Sequence, residues 1–250
     1  MTDQTHTSPC ALHTSANIQS AQAAKWPICG MIKGPMDTRL YRVAFAFVPE
    51  LWRFLFRMEI KGAENIPPIG PVILACNHRS NLDPFFLGSA CPRMVHFMAK
   101  AELWKIKAVG RLVEWMGGFP VRRGEADRQA VRRAFAILDA GGVLGVFPEG
   151  RRHRDLEQGP LGEIQPGISL FSLYDEVVTI PVVMEGTEKV VSGRRLGFPK
   201  VRVAFGSPLQ LPGKELPRSE RAAETLRRLR EAMLALFSSE AITHEQGWQQ

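Results

Sequence analysis

Apolar positions along the chain follow two alternating patterns. Continuous apolar runs recur at "PVILACN" (71–77), "VLGVF" (143–147) and "VVTIPVVM" (177–184). Such runs predict strands covered on both faces. "MVHFMA" reads as a further strand and "GGFPV" as a short extended segment. "VRVAF" alternates, which predicts a half-exposed strand. Between these lie stretches with helical period. "AELWKIKAVGRLVEWMG" reads as one helix. "DRQAVRRAFAILDAGG" sets Val131, Ala134, Phe135 and Leu138 on one face and ends on glycines. "SERAAETLRRLREAMLALF" sets Ala222, Leu226, Leu229 and Met233 on one face. Strands alternating with helices predict an α/β fold over residues 59–238. Its form is a single layered domain with a mixed, largely parallel sheet flanked by helices.

The ends of the chain read differently. Residues 1–36 are rich in Thr, Ser, Gln and Ala with little periodicity, which predicts a mobile polar tail. Residues 239–250 read as a C-terminal tail. In residues 37–58 apolar and aromatic residues alternate with arginines, a pattern suited to two short amphipathic helices bent at Pro49. No stretch reaches the roughly 20 mostly apolar residues of a membrane span, because Pro49, Glu50, Arg53 and Arg57 interrupt the best run. The first residues lack the compact apolar core of a signal peptide, and residues 1–36 lack the arginine of a transit peptide.

Charge narrows the partners. The formal net charge is +7 over 250 residues, which fits nucleic acid, an anionic membrane face or a phosphorylated substrate. No nucleic-acid motif is present, so nucleic acid is not expected as a partner. Cys10, Cys29, Cys76 and Cys91 form neither a CxxC pair nor zinc spacing, which predicts reduced thiols and no metal site.

Four stretches could carry chemistry. In "CNHRSNLDPFF" a buried strand leads into His78, and Asp83 follows five positions later. On one helix these two would point about 140° apart. If His78 ends a strand and Asp83 opens a helix, the turn can fold the carboxylate onto the imidazole, an oriented general base. The competing reading is a capping box from Ser80 to Asp83. "GGFPVRRGEADR" places two arginines after a short strand, suited to phosphate or to a solvated turn. "VFPEGRRHRD" ends a strand on a tight turn with a carboxylate and arginines, where α/β sheets place ligands, or where a charged loop would also sit. "TIPVV" has a proline inside a strand, which predicts an edge, a bulge or a sharp bend.

In this order the four stretches resemble the motifs of the glycerolipid acyltransferase family, typified by 1-acyl-sn-glycerol-3-phosphate acyltransferase. "NHRSNLD" looks like its NHxxxxD signature, "FPEGRR" is similar to its FPEGTR motif, and "GGFPVRR" and "TIPVV" resemble its second and fourth motifs. The resemblance covers about residues 55 to 210. It implies that His78 is the general base on the acceptor hydroxyl and that Asp83 orients and charges it. It implies acceptor and phosphate contacts from Arg123, Glu149, Gly150 and Arg152, and a role near the acyl donor for Pro181. Arg122 and Arg151 depart from the family pattern, and both departures add positive charge. The implied reaction moves a fatty acyl group from acyl-CoA or an acyl carrier protein thioester to a lysophospholipid hydroxyl, first of all 1-acylglycerol 3-phosphate. No cofactor is required, because the thioester is already activated. Glycerol 3-phosphate, a lyso-glycolipid or a lyso-aminolipid remain alternative acceptors, and a non-catalytic basic membrane-binding protein is the alternative of another class. If the strand runs through His78, Cys76 shares its face and would permit an acyl-enzyme, but a small buried apolar role suits it better.

An acyltransferase without a span must meet its lipids at the surface. Residues 37–58 are expected in the interface of an anionic membrane, peripheral and on its cytoplasmic side. Trp52, Phe54 and Phe56 would insert, with Arg39, Arg42, Arg53 and Arg57 near headgroups. Packing of this segment on the protein's own core is the alternative.

Overall fold

A computed structural model describes residues 39–122, 127–153, 159–172, 177–192, 195–213 and 215–246. The polar segment 1–36 and the side chains of Arg39 and Arg42 lie outside what it describes. In chain order the elements are α1 (Arg39–Leu55), β1 (Glu59–Lys61), β2 (Val72–Cys76), α2 (Asp83–Ala90), β3 (Val95–Lys100), α3 (Lys107–Trp115), β4 (Gly118–Val121), α4 (Arg128–Asp139) and β5 (Val143–Val146). They continue with α5 (Ser169–Ser172), β6 (Val178–Glu185), β7 (Val191–Ser192), β8 (Arg195–Leu196), β9 (Arg202–Phe205) and α6 (Arg218–Gln246).

Seven strands form one sheet in the order β1-β9-β6-β2-β5-β3-β4. The block β6-β2-β5-β3-β4 is parallel, and β9 joins it antiparallel to β6 and parallel to β1. The sheet is therefore mixed and largely parallel. β2 is fully buried, and its two faces serve two layers. Val72, Leu74 and Cys76 pack with Phe56, Phe86 and Leu87. Ile73 packs with Ala134, Ile137 and Leu138 of α4, and Ala75 with Leu229 and Met233 of α6. This period-2 division makes a two-sided strand read as a continuous apolar run.

The sequence expectation differs from the structure at several points. α1 is one helix with Pro49 inside it rather than two short helices. Proline removes one i→i−4 bond, and packing on the C-terminal half holds the rest. Trp52 makes tilted ring contacts with Phe56 at 4.6 Å and Phe86 at 5.3 Å, and Phe56 meets Phe86 edge-on at 5.0 Å. Phe56 is only 2% exposed, so it belongs to the core and not to an interface, whereas Phe54 is 79% exposed and Phe47 70%. β9 is mostly buried, because β1 lies outside it and makes it an interior strand. The stretch 101–117 is broken at Ile106 into a short 3₁₀ turn and α3. Trp104 folds back over Gly110, where a Cβ would stand 3.0 Å from its ring, and bonds Glu114 at 2.7 Å. α6 runs on to Gln246, so the segment read as a tail from residue 239 begins as helix.

The proline of "TIPVV" sits in β6, an interior strand rather than an edge. Pro181 O accepts from Gly206 N at 2.8 Å, and β9 ends at Phe205. N and C=O of one strand residue point to the same side. The missing N–H therefore faces Gly206, whose carbonyl accepts from Asn65 Nδ2 at 3.1 Å instead.

Candidate active site

β2 ends at Cys76, and the chain turns through residues 77–82 into α2. Asn77 fixes the departure. Its buried amide accepts from Met184 N at 2.7 Å and donates to Met184 O at 2.9 Å, tying the end of β2 to β6. His78 follows, and its Nδ1 lies 2.7 Å from Oδ2 of Asp83, the first residue of α2. The backbone N–H groups of Arg79 and Ser80 also donate to Oδ2, each at 2.7 Å. An oxygen already serving two amides is an acceptor, so Nδ1 donates and Nε2 keeps its lone pair. The imidazole also stacks on Phe147 of the neighbouring strand end, with centroids 4.4 Å apart. Asp83 is fully buried, and its Oδ1 has no partner among the described residues. The pair thus has the geometry that an oriented base with a fixed counter-charge requires, at the carboxyl ends of parallel strands where α/β sheets place ligands.

β5 delivers the second half of the site. A turn from Phe147 to Gly150 closes with Gly150 N donating to Phe147 O at 3.0 Å. Gly150 has φ +67, a left-handed conformation that favours glycine. The turn buries Glu149 to 3% exposure. Its Oε1 accepts from His78 N at 3.4 Å, and its Oε2 is buried with no partner among the described residues. Burial pushes the Glu149 carboxyl up, and the His78 N–H with the nearby charges of His153, His78 and Arg79 opposes this. His153 N donates to His78 O at 2.7 Å, so both turns are laced together.

One cavity adjoins the second turn, and another lies against α2. The first, of about 520 Å³, is lined by Glu149, Arg151, His153, Gly162, Gln165 and Arg230, among others. The other, about 200 Å³ and apolar, lies between α1, α2 and α3 and is lined by Trp52, Phe85, Met94, Leu112, Trp115 and Met116, among others.

The structure brings His78, Asp83, Glu149 and Gly150 together. Arg152 is exposed and does not line the larger cavity, whereas its neighbour Arg151 does. Pro181 lies under α6, where a Cβ on Gly206 would touch both its ring and Leu236. Arg123 lies outside the described residues, and Arg122 is exposed with its N–H on Asp127 at 2.9 Å. Cys76 is fully buried, and burial together with the nearby charges of Asp83 and Glu149 pushes its thiol well up, away from the nucleophilic thiolate. Among the described residues no group of three His, Cys, Asp or Glu could hold a metal ion.

Sequence reasoning missed Arg79. Its guanidinium is buried, donates to Pro160 O at 3.0 Å, lies 5.2 Å over the Phe237 ring and sits 4.0 Å from Glu188. It joins the His78 turn to α6 and to the 159–161 segment. No local pattern marks an arginine for burial, since all its partners are distant in sequence.

Residues 57–185 match a family model described as acyltransferase. The chain is 28% identical over 169 residues to the 1-acyl-sn-glycerol-3-phosphate acyltransferase of Bacillus subtilis, covering 66% of this chain and 81% of that enzyme. It is 28% identical over 174 residues to a chloroplastic 1-acyl-sn-glycerol-3-phosphate acyltransferase of Arabidopsis thaliana. That match covers 65% of this chain and 48% of the plant protein, so the chain spans about half the length of this relative. The crystal structure of the 1-acyl-sn-glycerophosphate acyltransferase of Thermotoga maritima superposes with a TM-score of 0.55 at 23% identity, covering 77% of this chain and 83% of that one. This likeness bears on the fold.

Proposed function

The chain belongs to the acyltransferase family, and from that premise we propose that it moves a fatty acyl group from an acyl thioester to the hydroxyl of a lysophospholipid. The acceptor we assign first is 1-acylglycerol 3-phosphate, on which the curated relatives are named to act, and the product is then phosphatidic acid. The observation that carries this reading is the 2.7 Å bond between His78 Nδ1 and Asp83 Oδ2. It leaves Nε2 free to take the proton from an attacking alcohol.

In this mechanism the acceptor oxygen attacks the thioester carbonyl carbon as Nε2 of His78 takes its proton. Asp83 stabilises the imidazolium that forms, the role of the carboxylate in a serine-protease triad. The tetrahedral intermediate then collapses, the C–S bond breaks, and the leaving thiolate recovers the proton from the imidazolium. Glu149, Gly150, Arg152 and Arg123 are assigned to the acceptor side, and Pro181 to the donor side. The apolar cavity begins at Pro84 and Phe85, next to Asp83, and offers room for hydrocarbon.

Contact with lipid is assigned to the exposed arc of α1. Phe47, Leu51 and Phe54 face outward, and among the described residues no helix is long and apolar enough to cross a membrane. We assign the protein to the cytoplasmic surface of a membrane, as a peripheral protein. The test is thiol release from acyl-CoA and from an acyl carrier protein thioester. It is run against 1-acylglycerol 3-phosphate, glycerol 3-phosphate, a lyso-glycolipid and a lyso-aminolipid, with and without anionic vesicles. Release confined to one of the other acceptors reassigns the substrate, and no release with any acceptor refutes the enzymatic reading. Arg123→Lys should raise the KM for acceptor but not for thioester, because lysine lacks the planar fork.

A further inference from the structure

We propose that Arg151 and Arg230 together hold the acceptor's anionic headgroup in the larger cavity, which makes α6 part of the acceptor site. The inference rests on the acyl-transfer reading above. The cavity borders the turn that is laced to the backbone of His78. Glu149 lines it and accepts from His78 N at 3.4 Å, and His153 lines it and donates to His78 O at 2.7 Å. In this proposal a lipid whose hydroxyl sits at His78 Nε2 extends its headgroup into this space. At about 520 Å³ the cavity falls within the roughly 300–1,000 Å³ of small-molecule sites and far exceeds the roughly 30 Å³ of one water.

Its charges are not all committed. Arg227 is neutralised by Glu224 at 2.7 Å and Glu231 at 2.6 Å. Arg230 spends one donor on the neutral carbonyl of Gly162 at 2.8 Å, which pins the guanidinium against the 161–165 segment and leaves its charge uncompensated. Arg151 has no hydrogen bond or ion pair among the described residues. Glu149 and Glu163 are the two carboxylates in the lining, and burial raises the Glu149 carboxyl above its ordinary range. The wall keeps two arginine forks for an anion, and such forks match phosphate oxygens in pairs. Glu149 Oε2, buried and without a partner among the described residues, is a polar atom that a polar ligand would satisfy. Neither arginine belongs to the acceptor residues that the motifs imply. Arg151 stands where the FPEGTR motif has threonine, and α6 lies beyond the residues 57–185 matched by the family model.

The experiment is steady-state thiol release by the full chain and by Arg151→Thr, Arg151→Lys and Arg230→Gln. Acceptors are 1-acylglycerol 3-phosphate and, as a neutral control, a monoacylglycerol. Loss of a charge-assisted contact should raise the KM for the phosphorylated acceptor about tenfold to a hundredfold in Arg151→Thr and in Arg230→Gln. Arg151→Lys should fall between parent and Arg151→Thr. The KM for thioester and the KM for monoacylglycerol should not move. An unchanged acceptor KM in either loss-of-charge variant overturns the proposal, and so does an equal rise for the neutral acceptor. A parent protein that transfers to no acceptor defeats the acyl-transfer reading itself, a result distinct from either.

Discussion

Replacing Asp83 with asparagine separates the two duties of one oxygen. Three donors converge on Oδ2 at 2.7 Å each, from His78 Nδ1, Arg79 N and Ser80 N. Asparagine keeps an oxygen there but not the charge, which weakens each bond by up to about 1 kcal/mol. The new NH₂ takes the place of Oδ1, buried and without a partner, at a cost of about 1 to 3 kcal/mol. Relief from burying a carboxylate offsets part of this. A net loss of about 2 to 4 kcal/mol corresponds to a melting temperature lower by about 5 to 15 °C in a chain of this size. Turnover should fall by about 10² to 10⁴, since the imidazolium loses its counter-charge. The assay is thiol release at a temperature where melting curves show the variant folded. His78→Ala should lose turnover to a similar extent with a smaller change in melting, because the two amide bonds to Oδ2 remain. A folded Asp83→Asn protein with the parent's turnover would refute the base mechanism.

Other outcomes follow from the same geometry. Cys76→Ala should keep most activity, because the thiol is buried and its ionisation is opposed; an acyl thioester trapped on Cys76 would contradict this. Phe47→Ser with Phe54→Ser should reduce flotation with anionic vesicles and leave melting unchanged, whereas Phe56→Ser should lower melting, with about 3 to 5 kcal/mol the usual cost of emptying a core Phe site. Unchanged flotation in the double variant would remove α1 from the membrane. Burial holds the Glu149 carboxyl above its ordinary 4.5, so its contribution to stability is full below that pH and is lost as pH rises through the raised value. Glu149→Gln should flatten that decline in melting temperature; parallel curves for parent and variant would refute it.

What the sequence revealed and what it withheld divide along physical lines. β2 and β5 were legible because both of their faces are buried, which writes the strand as an unbroken apolar run. The His78–Asp83 pair was legible because a strand end and a helix start are local features and the turn between them is short. β1 was not, since three residues carry no period. In α1 aromatic residues fall on two opposite faces, Trp52 on one and Phe47 and Phe54 on the other, and the pattern alone could not tell which face the core covers. The burial of Arg79 and the reach of Arg230 toward Gly162 depend on contacts made across long sequence separations. No window of sequence contains both partners.

The three donors on Asp83 Oδ2 also bear on how a changed version of this chain should be read. Only one of them, the imidazole, serves the proposed reaction, while the two amides hold the turn in shape. A descendant that lost the activity would still be under pressure to keep the aspartate for folding, while its histidine would be free to drift. In chains of this kind a surviving aspartate is therefore weak testimony to catalysis, and the histidine is the residue that discriminates an enzyme from a silent copy.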